Sequence, residues 1–173
     1  AIRDIINVIN AGCKSPDQAV WAVEGDIQGC FDNISHRILL PKVWRMGIHD
    51  KRVLKIISQM LKAGYIERDL YHKTETGTPQ GGILSPLLSN VYLNDFDWYV
   101  GRTYMEPHRK CKHKCNDTRR LKWAGTTPKY NFRYADDWVV LTSTEKEAFR
   151  MKRELTKYFR QKLKLELSQE KTY

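Results

Sequence analysis

The sequence predicts an α+β fold in which helices pack on one face of an antiparallel sheet. Two observations support this prediction: a β-rich apolar run delivers the carboxylate of Asp26, and a pair of such runs brackets an acidic break within residues 130–142. The segments between them carry apolar residues at helical spacing. Helical segments in sequence with a strand and hairpins favour a sheet that is covered on one side by helices.

The first third of the chain predicts a helix, a strand and a second helix. Isoleucines at helical spacing indicate an opening helix that ends near Gly12. Residues 20–27 are apolar and β-rich, which predicts a strand. A helix then runs from about residue 35 to residue 45, and we expect Pro41 to cause a local distortion or an early break.

The middle of the chain predicts a helix followed by a hairpin. Asp50 is placed to cap a helix that ends at Gly64. The apolar stripe of this helix is expected to be core, and it consists of Val53, Leu54, Ile56, Ile57, Met60 and Leu61. Residues 65–76 alternate well enough to form a hairpin.

The last elements are predicted from caps and alternation. Residues 85–99 begin with serine and proline, an N-cap followed by a favourable first helical residue, and so predict a helix. Two runs around the acidic break predict the hairpin of residues 130–142. Residues 144–147 form a capping box for a helix that extends to about Lys162, and residues 165–167 alternate as a short strand.

Composition indicates a single basic domain. The chain has 173 residues, 41% of them apolar, and carries 30 Lys and Arg against 20 Asp and Glu, a net charge of +10. Such a balance favours a polyanionic partner, most often a nucleic acid. No apolar run approaches the roughly 20 residues of a membrane span, and we expect an intracellular, cytoplasmic protein with reduced cysteines and no membrane partner.

Three carboxylates are the first candidates for chemistry. The adjacent Asp136 and Asp137 repel each other, and a divalent cation such as Mg²⁺ would compensate them. A solvated acidic hairpin tip is the alternative. If the strand that ends at Asp26 lies beside the hairpin, Asp26 and Asp136 supply the one or two carboxylates that Mg²⁺ takes together with substrate phosphates. Two ions about 4 Å apart would then serve an in-line phosphoryl displacement.

Three runs of residues resemble the sequence motifs of a known family. Residues 25–34 (GDIQGCFDNI) resemble polymerase motif A, residues 77–90 (GTPQGGILSPLLSN) motif B, and residues 134–137 (YADD) motif C of reverse transcriptases. The motif sequences most resemble those of the reverse transcriptase/maturase proteins encoded in group II introns. The motifs occur in the family's order and cover nearly the whole chain.

The resemblance implies a domain organisation. Residues 1–173 resemble the palm of a reverse transcriptase with part of the fingers, and a basic loop of about residues 102–129 is inserted between motifs B and C. The upstream fingers motifs and the downstream thumb and RNA-binding region of the family are expected to be absent. The resemblance therefore predicts a weakly active or inactive fragment with exposed apolar surface that favours self-association.

The resemblance also assigns roles to the carboxylates. The reaction it implies is RNA-directed DNA synthesis, in which a primer 3′-hydroxyl attacks a deoxynucleoside triphosphate (dNTP). Asp26 and Asp136 would bind two Mg²⁺ ions with help from the carbonyl oxygen of Ile27, and Asp137 would support the metal site or the primer end. Partners would be an RNA template, a DNA primer and a structured intron RNA.

Four residues are implied to contact the incoming nucleotide. Phe31 corresponds to the steric gate that excludes a 2′-hydroxyl, and an ordinary buried Phe is the alternative. Gln80 and Gly81 would contact the nucleotide from the motif B loop, whose glycines allow close approach of backbone to a ligand. Lys171 lies in a run that resembles motif D, as a proton donor to pyrophosphate or simply as an exposed lysine.

A basic segment between motifs B and C is the candidate nucleic-acid contact. Between Arg102 and Arg133 there are ten Lys and Arg residues against two acidic ones, with aromatic residues among them. Such a segment suits a nucleic-acid backbone, and a solvated loop is the alternative. The expected contacts, including three of motif B, are Gly82, Ser85, Pro86, Arg109, Lys110, Lys112, Lys114, Arg119, Arg120 and Lys122.

Within this segment four residues resemble zinc ligands. His108, Cys111, His113 and Cys115 fall within eight residues, unlike the separated ligand pairs of structural zinc sites. We do not expect zinc here.

Two other functions remain to be compared with polymerisation. An RNA-binding splicing cofactor, or maturase, would use the same basic segment, with polymerisation secondary. A nucleotide cyclase with two aspartates on a similar sheet does not explain the Pro-Gln-Gly and Ser-Pro-Leu-Leu run of motif B.

Overall fold

A computed structural model describes residues 3, 6, 21–63, 65–67, 70–72, 76–78, 82–105, 130–142 and 144–168. The elements in chain order are β1 (Trp21–Gly25), α1 (His36–Arg45), α2 (Lys51–Lys62), β2 (Tyr65–Glu67), β3 (Leu70–His72), α3 (Ser85–Val100), β4 (Tyr130–Tyr134), β5 (Asp137–Thr142) and α4 (Glu145–Tyr158). Wider π-helical turns, Gly101–Met105 and Phe159–Leu163, continue α3 and α4.

The described residues fall into two compact units. The first, here called the sheet unit, takes the described residues of 1–26, 96–157 and 167–173. The second, here called the helix-hairpin unit, takes those of 27–95 and 158–166. The boundaries fall next to Asp26 and within α3, so single elements contribute to both units.

The sheet unit is built on three antiparallel strands in the order β1-β5-β4. β1 pairs with β5 from Trp21 opposite Thr142 to Gly25 opposite Trp138, and β4 and β5 form the predicted hairpin. One face of the sheet buries Val23, Trp138 and Val140. The buried residues of α4, which are Ala148, Met151 and Leu155, complete the same unit's core, so the predicted α+β class is confirmed.

The helix-hairpin unit combines α1, α2, the β2-β3 hairpin and the first part of α3. Its buried side chains include Leu39 and Val43 of α1 and Tyr92 of α3. The Tyr92 hydroxyl donates a hydrogen bond of 2.5 Å to the carbonyl oxygen of Leu163. Burial of this ring raises the pKa of Tyr92 to about 12, so the phenol stays neutral and donates.

Two of the three helix caps that the sequence predicts are present in the structure. Asp50 caps α2 as predicted, since its carboxylate accepts from the Arg52 amide at 2.7 Å. Thr144 caps α4 by accepting from the Glu147 amide at 3.3 Å. Ser85 differs from the prediction because it is the first residue of α3, rather than a cap outside it.

Two expectations were wrong, and one of the two alternatives for Pro41 is excluded. Pro41 does not cause an early break, since α1 continues to Arg45 with Leu39 and Val43 buried on either side of the proline. The stripe of α2 is buried only at Ile57 and Leu61, whereas Val53, Ile56 and Met60 are exposed, Ile56 to 55%. Residues 165–167 do not form a strand, since only Leu167 makes an isolated bridge, although Leu165 and Leu167 are both buried.

The predicted opening helix lies almost wholly outside the described residues. Among the helices that the structure does describe, none has the length and apolar character to cross a membrane.

Candidate active site

Three carboxylates lie at the same end of the sheet. Gly25 is the last β1 residue and lies opposite Trp138. Asp26 follows Gly25, and Asp137 precedes Trp138 at the start of β5. Asp136 is the next residue of the turn, and the strand pairing therefore gathers residues that are 110 positions apart in the sequence.

The three carboxylates are accessible. Side chains alternate between the faces of a strand, which puts Asp26 and Asp137 on the face opposite that of the buried Trp138. Asp26 and Asp136 are half-buried and Asp137 is exposed. Water and a ligand can therefore reach them without unfolding of the strands.

The turn between β4 and β5 is a strained two-residue loop. Tyr134 pairs with Asp137, which leaves Ala135 and Asp136 as the loop. Ala135 has φ of 55°, in the left-handed region that a side chain with a Cβ rarely adopts. In two-residue hairpins a positive φ at the first loop position is usually taken by Gly. Strain of this kind persists where surrounding contacts fix it, and it clusters at active sites.

An arginine supplies such a contact. Arg133 donates from Nη1 to the carbonyl oxygen of Ala135 at 2.7 Å. The same guanidinium binds the carboxylate of Asp97 through Nε and Nη2, at distances from 2.7 to 3.1 Å. In the sequence Arg133 is one charge of the basic segment, and Asp97 belongs to none of the motifs.

The donor set fits Mg²⁺. Among the described residues no three His, Cys, Asp or Glu side chains form a cluster that would hold a metal by itself. Two carboxylates at a hydrated strand end match the usual protein share of a Mg²⁺ site, whose other ligands are water and substrate phosphates. The residues that would hold the ion are Asp26 and Asp136, both hard oxygen donors.

A second arrangement belongs to the helix-hairpin unit and joins motif A to motif B. The Thr78 amide donates to the carbonyl oxygen of Phe31 at 2.7 Å, and the Gly77 amide donates to that of Ile34 at 2.7 Å. The ring of the buried His36 forms a hydrogen bond of 2.5 Å with the carbonyl oxygen of Gly77. The turn that carries Phe31 and the entry to the motif B loop are thus held as one piece.

Gly77 is required at this junction for two reasons. Its φ of +88° disfavours any side chain, and a Cβ there would lie 2.7 Å from the carbonyl oxygen of Asp32 and 2.8 Å from that of Phe31. Phe31 itself is half-buried, which leaves part of its ring accessible to a ligand. His36 was not predicted as a site residue, and no local pattern marks it.

The start of α3 holds three predicted contacts with nucleic acid. The Ser85 amide donates to the carbonyl oxygen of Gly82 at 3.0 Å, which closes the turn that leads into the helix. Ser85 is buried, whereas Pro86 is exposed and Gly82 half-buried. Pro86 and Gly82 are therefore accessible to a nucleic acid. Ser85 instead helps to form the start of the helix.

Several predicted site residues lie outside the described residues. These are Gln80, Gly81, Lys171, the zinc-like group His108, Cys111, His113 and Cys115, and the basic residues Arg109, Lys110, Lys112, Lys114, Arg119, Arg120 and Lys122. Ile27 is described and its side chain is buried.

Carboxylates at the end of an antiparallel sheet, one of them in a turn with a strained backbone, and helices in the same fold are typical of a polymerase palm. The chain matches the family model "Reverse transcriptase (RNA-dependent DNA polymerase)" over residues 1–173. The chain therefore belongs to the reverse transcriptase family, and reverse transcriptases generally use Mg²⁺.

Curated relatives agree with this assignment. The chain is 37% identical over 195 residues to the group II intron-encoded protein LtrA of Lactococcus lactis subsp. cremoris, with 89% of this chain and 32% of LtrA covered. It is 34% identical over 162 residues to the protein YkfC of Escherichia coli strain K12, with 88% of this chain and 42% of YkfC covered. The chain thus spans less than half the length of either relative. The expected resemblance to group II intron proteins is confirmed.

Solved structures support the fold. Apo telomerase from Candida tropicalis matches with a TM-score of 0.67 at 13% identity, covering 99% of this chain and 31% of that one. A second telomerase from the same organism, in complex with a fragment of telomeric RNA, gives a TM-score of 0.64 at 12% identity, with 99% of this chain and 28% of that one covered. The comparisons do not favour the splicing-cofactor alternative over a reverse transcriptase domain.

Proposed function

We propose that the protein copies RNA into DNA: a primer 3′-hydroxyl attacks the α-phosphorus of a dNTP and pyrophosphate leaves. The observation that carries the proposal is the position of Asp26, Asp136 and Asp137 at the same end of the sheet, beside a strained turn, in a chain of the reverse transcriptase family. The work of the whole protein in intron mobility and splicing, with a structured intron RNA as partner, is part of the same proposal.

Each carboxylate has a proposed role. Asp26 and Asp136, aided by the carbonyl oxygen of Ile27, hold two Mg²⁺ ions, and Asp137 supports the metal site or the primer end. When bound, these ions activate the attacking hydroxyl and stabilise the leaving pyrophosphate. The half-buried positions of Asp26 and Asp136 support this role because their carboxylates are held by strands and yet reach solvent.

Four residues supply the nucleotide contacts in this proposal. Phe31 packs under the sugar and excludes a 2′-hydroxyl, while Gln80 and Gly81 contact the incoming dNTP. Lys171 gives a proton to the leaving pyrophosphate. The hydrogen bonds from Thr78 to the Phe31 carbonyl oxygen support the gate assignment, because an aromatic gate selects by shape only where its backbone is fixed.

Primer extension with the full-length protein tests the proposal. A DNA primer on an RNA template, with Mg²⁺ and dNTPs, should be extended by the wild type and not by Asp136→Ala. We expect a loss of at least about 1000-fold, or about 4 kcal/mol of transition-state stabilisation. RNA binding by the variant should be unchanged.

Asp50→Ala is the matched control. It also removes an aspartate, but one that caps α2, and should cost about 1 kcal/mol of stability without loss of extension. Substantial extension by Asp136→Ala would reject the two-metal assignment. Absence of extension by the wild type, with salt-sensitive RNA binding intact, would favour the splicing cofactor.

The basic segment is proposed to hold the nucleic-acid backbone. Replacing Arg109, Lys110 and Lys112 together by Gln should weaken RNA binding and flatten its dependence on salt, by about one unit of log-log slope for each lost phosphate contact. Replacing the exposed Lys51, Arg52 and Lys55 of α2 removes the same charge and should leave that slope unchanged. Equal slopes for both triple variants would remove the segment from the interface.

A further inference from the structure

The guanidinium of Arg133 links the hairpin that carries Asp136 to α3. Arg133 of β4 binds the Asp97 carboxylate with Nε and Nη2 and still has Nη1 for the carbonyl oxygen of Ala135. Only 11% of the Arg133 side chain is exposed, against 34% for Asp97. All three residues belong to the sheet unit.

The third bond acts on the peptide that leads into Asp136. A peptide unit is planar, so holding the Ala135 carbonyl oxygen also sets the direction of the Asp136 amide nitrogen. The Ala135 peptide is also the strained one, with φ of 55°. Without a contact on this oxygen, the turn has less to oppose its relaxation to an unstrained form with the Asp136 carboxylate in a different place.

The chemistry of this contact requires an arginine. Binding a carboxylate through two nitrogens while donating to a third oxygen takes the planar, five-donor fork of a guanidinium. Asp97 also balances the charge of Arg133, so the pair brings little net positive charge to a site that would bind cations. Its influence on Asp136 is therefore one of position rather than of electric field.

We propose that Arg133 is a positioning residue for catalysis, oriented by Asp97, that fixes the turn peptide and thereby the metal-binding geometry of Asp136. This inference rests on the proposed polymerase function, and it assigns a role to two residues outside the Tyr-Ala-Asp-Asp motif. Weakening the contacts of Arg133 with Asp97 and the Ala135 carbonyl oxygen, here called the clamp, should impair metal binding more than it impairs folding.

The test uses two conservative variants of the full-length protein, Arg133→Lys and Asp97→Asn. Lys keeps the positive charge but has no fork, and Asn keeps the shape of Asp97 but loses its charge. Mn²⁺ binding, followed by electron paramagnetic resonance without nucleotide, is the first readout. Primer extension and thermal unfolding are the second and third. Arg150→Lys is the matched control, since Arg150 is exposed and pairs with Glu154 at 3.9 Å.

We expect Arg133→Lys to weaken Mn²⁺ binding and to lower extension by roughly 10- to 100-fold, the usual effect of removing a group that orients a metal ligand. Asp97→Asn should act in the same direction, and the double variant should be no worse than the more affected single one. The dNTP KM and the melting temperature should change little, and Arg150→Lys should match the wild type.

Two results would reject the positioning role of Arg133. One is unchanged Mn²⁺ binding and extension in Arg133→Lys while Asp136→Ala is inactive. The other is a loss of extension that only follows a loss of cooperative unfolding in both variants, which would make the pair a structural support. Failure of the proposed function has a different signature, because Asp136→Ala would then extend primers like the wild type.

Discussion

The indole of Trp138 occupies the space that a Cβ on Gly25 would fill. The two residues are cross-strand partners in β1 and β5, and the ring is almost completely buried beside Phe96, with ring centroids 5.4 Å apart. Gly25 thus lets β1 approach β5 closely at the end of the sheet where Asp26 and Asp137 lie. The glycine and the candidate carboxylate of Asp26 are neighbours in the chain, so the close packing at Gly25 bears directly on the position of Asp26.

Gly25→Ala should therefore damage both stability and catalysis. The added methyl group overlaps a ring that has no room to move, and overpacking of this kind costs about 1–3 kcal/mol. Because the strand end that carries Asp26 has to shift, we expect extension to fall well below what the lost stability explains, even far below the melting temperature. Thermal unfolding and primer extension measure the two effects.

The control for this substitution is Gly101→Ala. A Cβ at Gly101 meets none of the described residues within 4 Å, so stability and extension should both stay near wild type. If Gly25→Ala folds with wild-type extension, the close packing of Gly25 on Trp138 has no part in placing Asp26.

Two glycines with positive φ separate backbone strain from crowding. Gly77 has φ of +88° and would bring a Cβ within 2.8 Å of the Phe31 and Asp32 carbonyl oxygens. Gly47 has φ of +102°, and a Cβ there would meet none of the described residues within 4 Å. Alanine at either position pays for strain, about 1–2 kcal/mol. Gly77→Ala should in addition displace the turn of Phe31 and raise the dNTP KM.

Steady-state kinetics of the two glycine variants measure the difference. Gly47→Ala should lose stability with an unchanged dNTP KM. An equal dNTP KM in both variants would mean that the motif B junction does not support the nucleotide site.

The sequence was a good guide to elements whose signals are local. Asp50 as a cap, the acidic hairpin and the β1 run were all predicted correctly, since caps and alternation are properties of neighbouring residues. The exposure of Ile56 was not predicted, because periodicity defines a stripe but not how much of it other elements cover. Contacts such as that of His36 with Gly77, 41 residues apart, leave no local pattern and needed the structure.

For the candidate site, the motif resemblance identified the carboxylates, and the structure identified the contacts that hold their strands and turn in place. The strand pairings that put Asp26 and Asp137 at the same end of the sheet were only suggested by the sequence. The Asp97 contact of Arg133 spans 36 residues, and in the sequence Arg133 is one basic residue among many. Motif resemblance thus indicates which residues react, while the packing that holds them in place is specific to the fold.

Phe31→Ala should relax the choice between deoxyribonucleotides and ribonucleotides. Removing the ring opens space for a 2′-hydroxyl, and steric pockets of this size discriminate by roughly 10- to 200-fold. The ratio of kcat/KM for a dNTP to that for the matching ribonucleotide should fall by at least about tenfold. The backbone bonds from Thr78 to the Phe31 carbonyl oxygen do not depend on the side chain, so the turn should persist.

Phe149→Ala removes the same ring from an exposed position and should leave the sugar preference intact. An unchanged ratio in Phe31→Ala would return Phe31 to the role of an ordinary half-buried aromatic residue.

Lys42 is a buried cation that should make stability depend on pH. Its ammonium group lies 2.5 Å from the Tyr92 carbonyl oxygen and 3.0 Å from the Asp95 carboxylate. Lys42→Met removes both contacts and should lower the free energy of unfolding by about 1–3 kcal/mol. The exposed Lys55→Met provides the control and should cost less than about 0.5 kcal/mol.

The sign of the pH effect follows from the pKa of Lys42. Burial lowers this pKa below its ordinary 10.5, and the hydrogen bond and charge of Asp95 only partly oppose the shift. The unfolded chain then binds the proton more tightly, so stability rises with pH between the lowered pKa and 10.5. Denaturant unfolding from pH 7 to 10 should show the free energy of unfolding of the wild type increasing relative to that of Lys42→Met. A wild type that instead loses ground as pH rises would mean that Asp95 outweighs burial and raises the pKa.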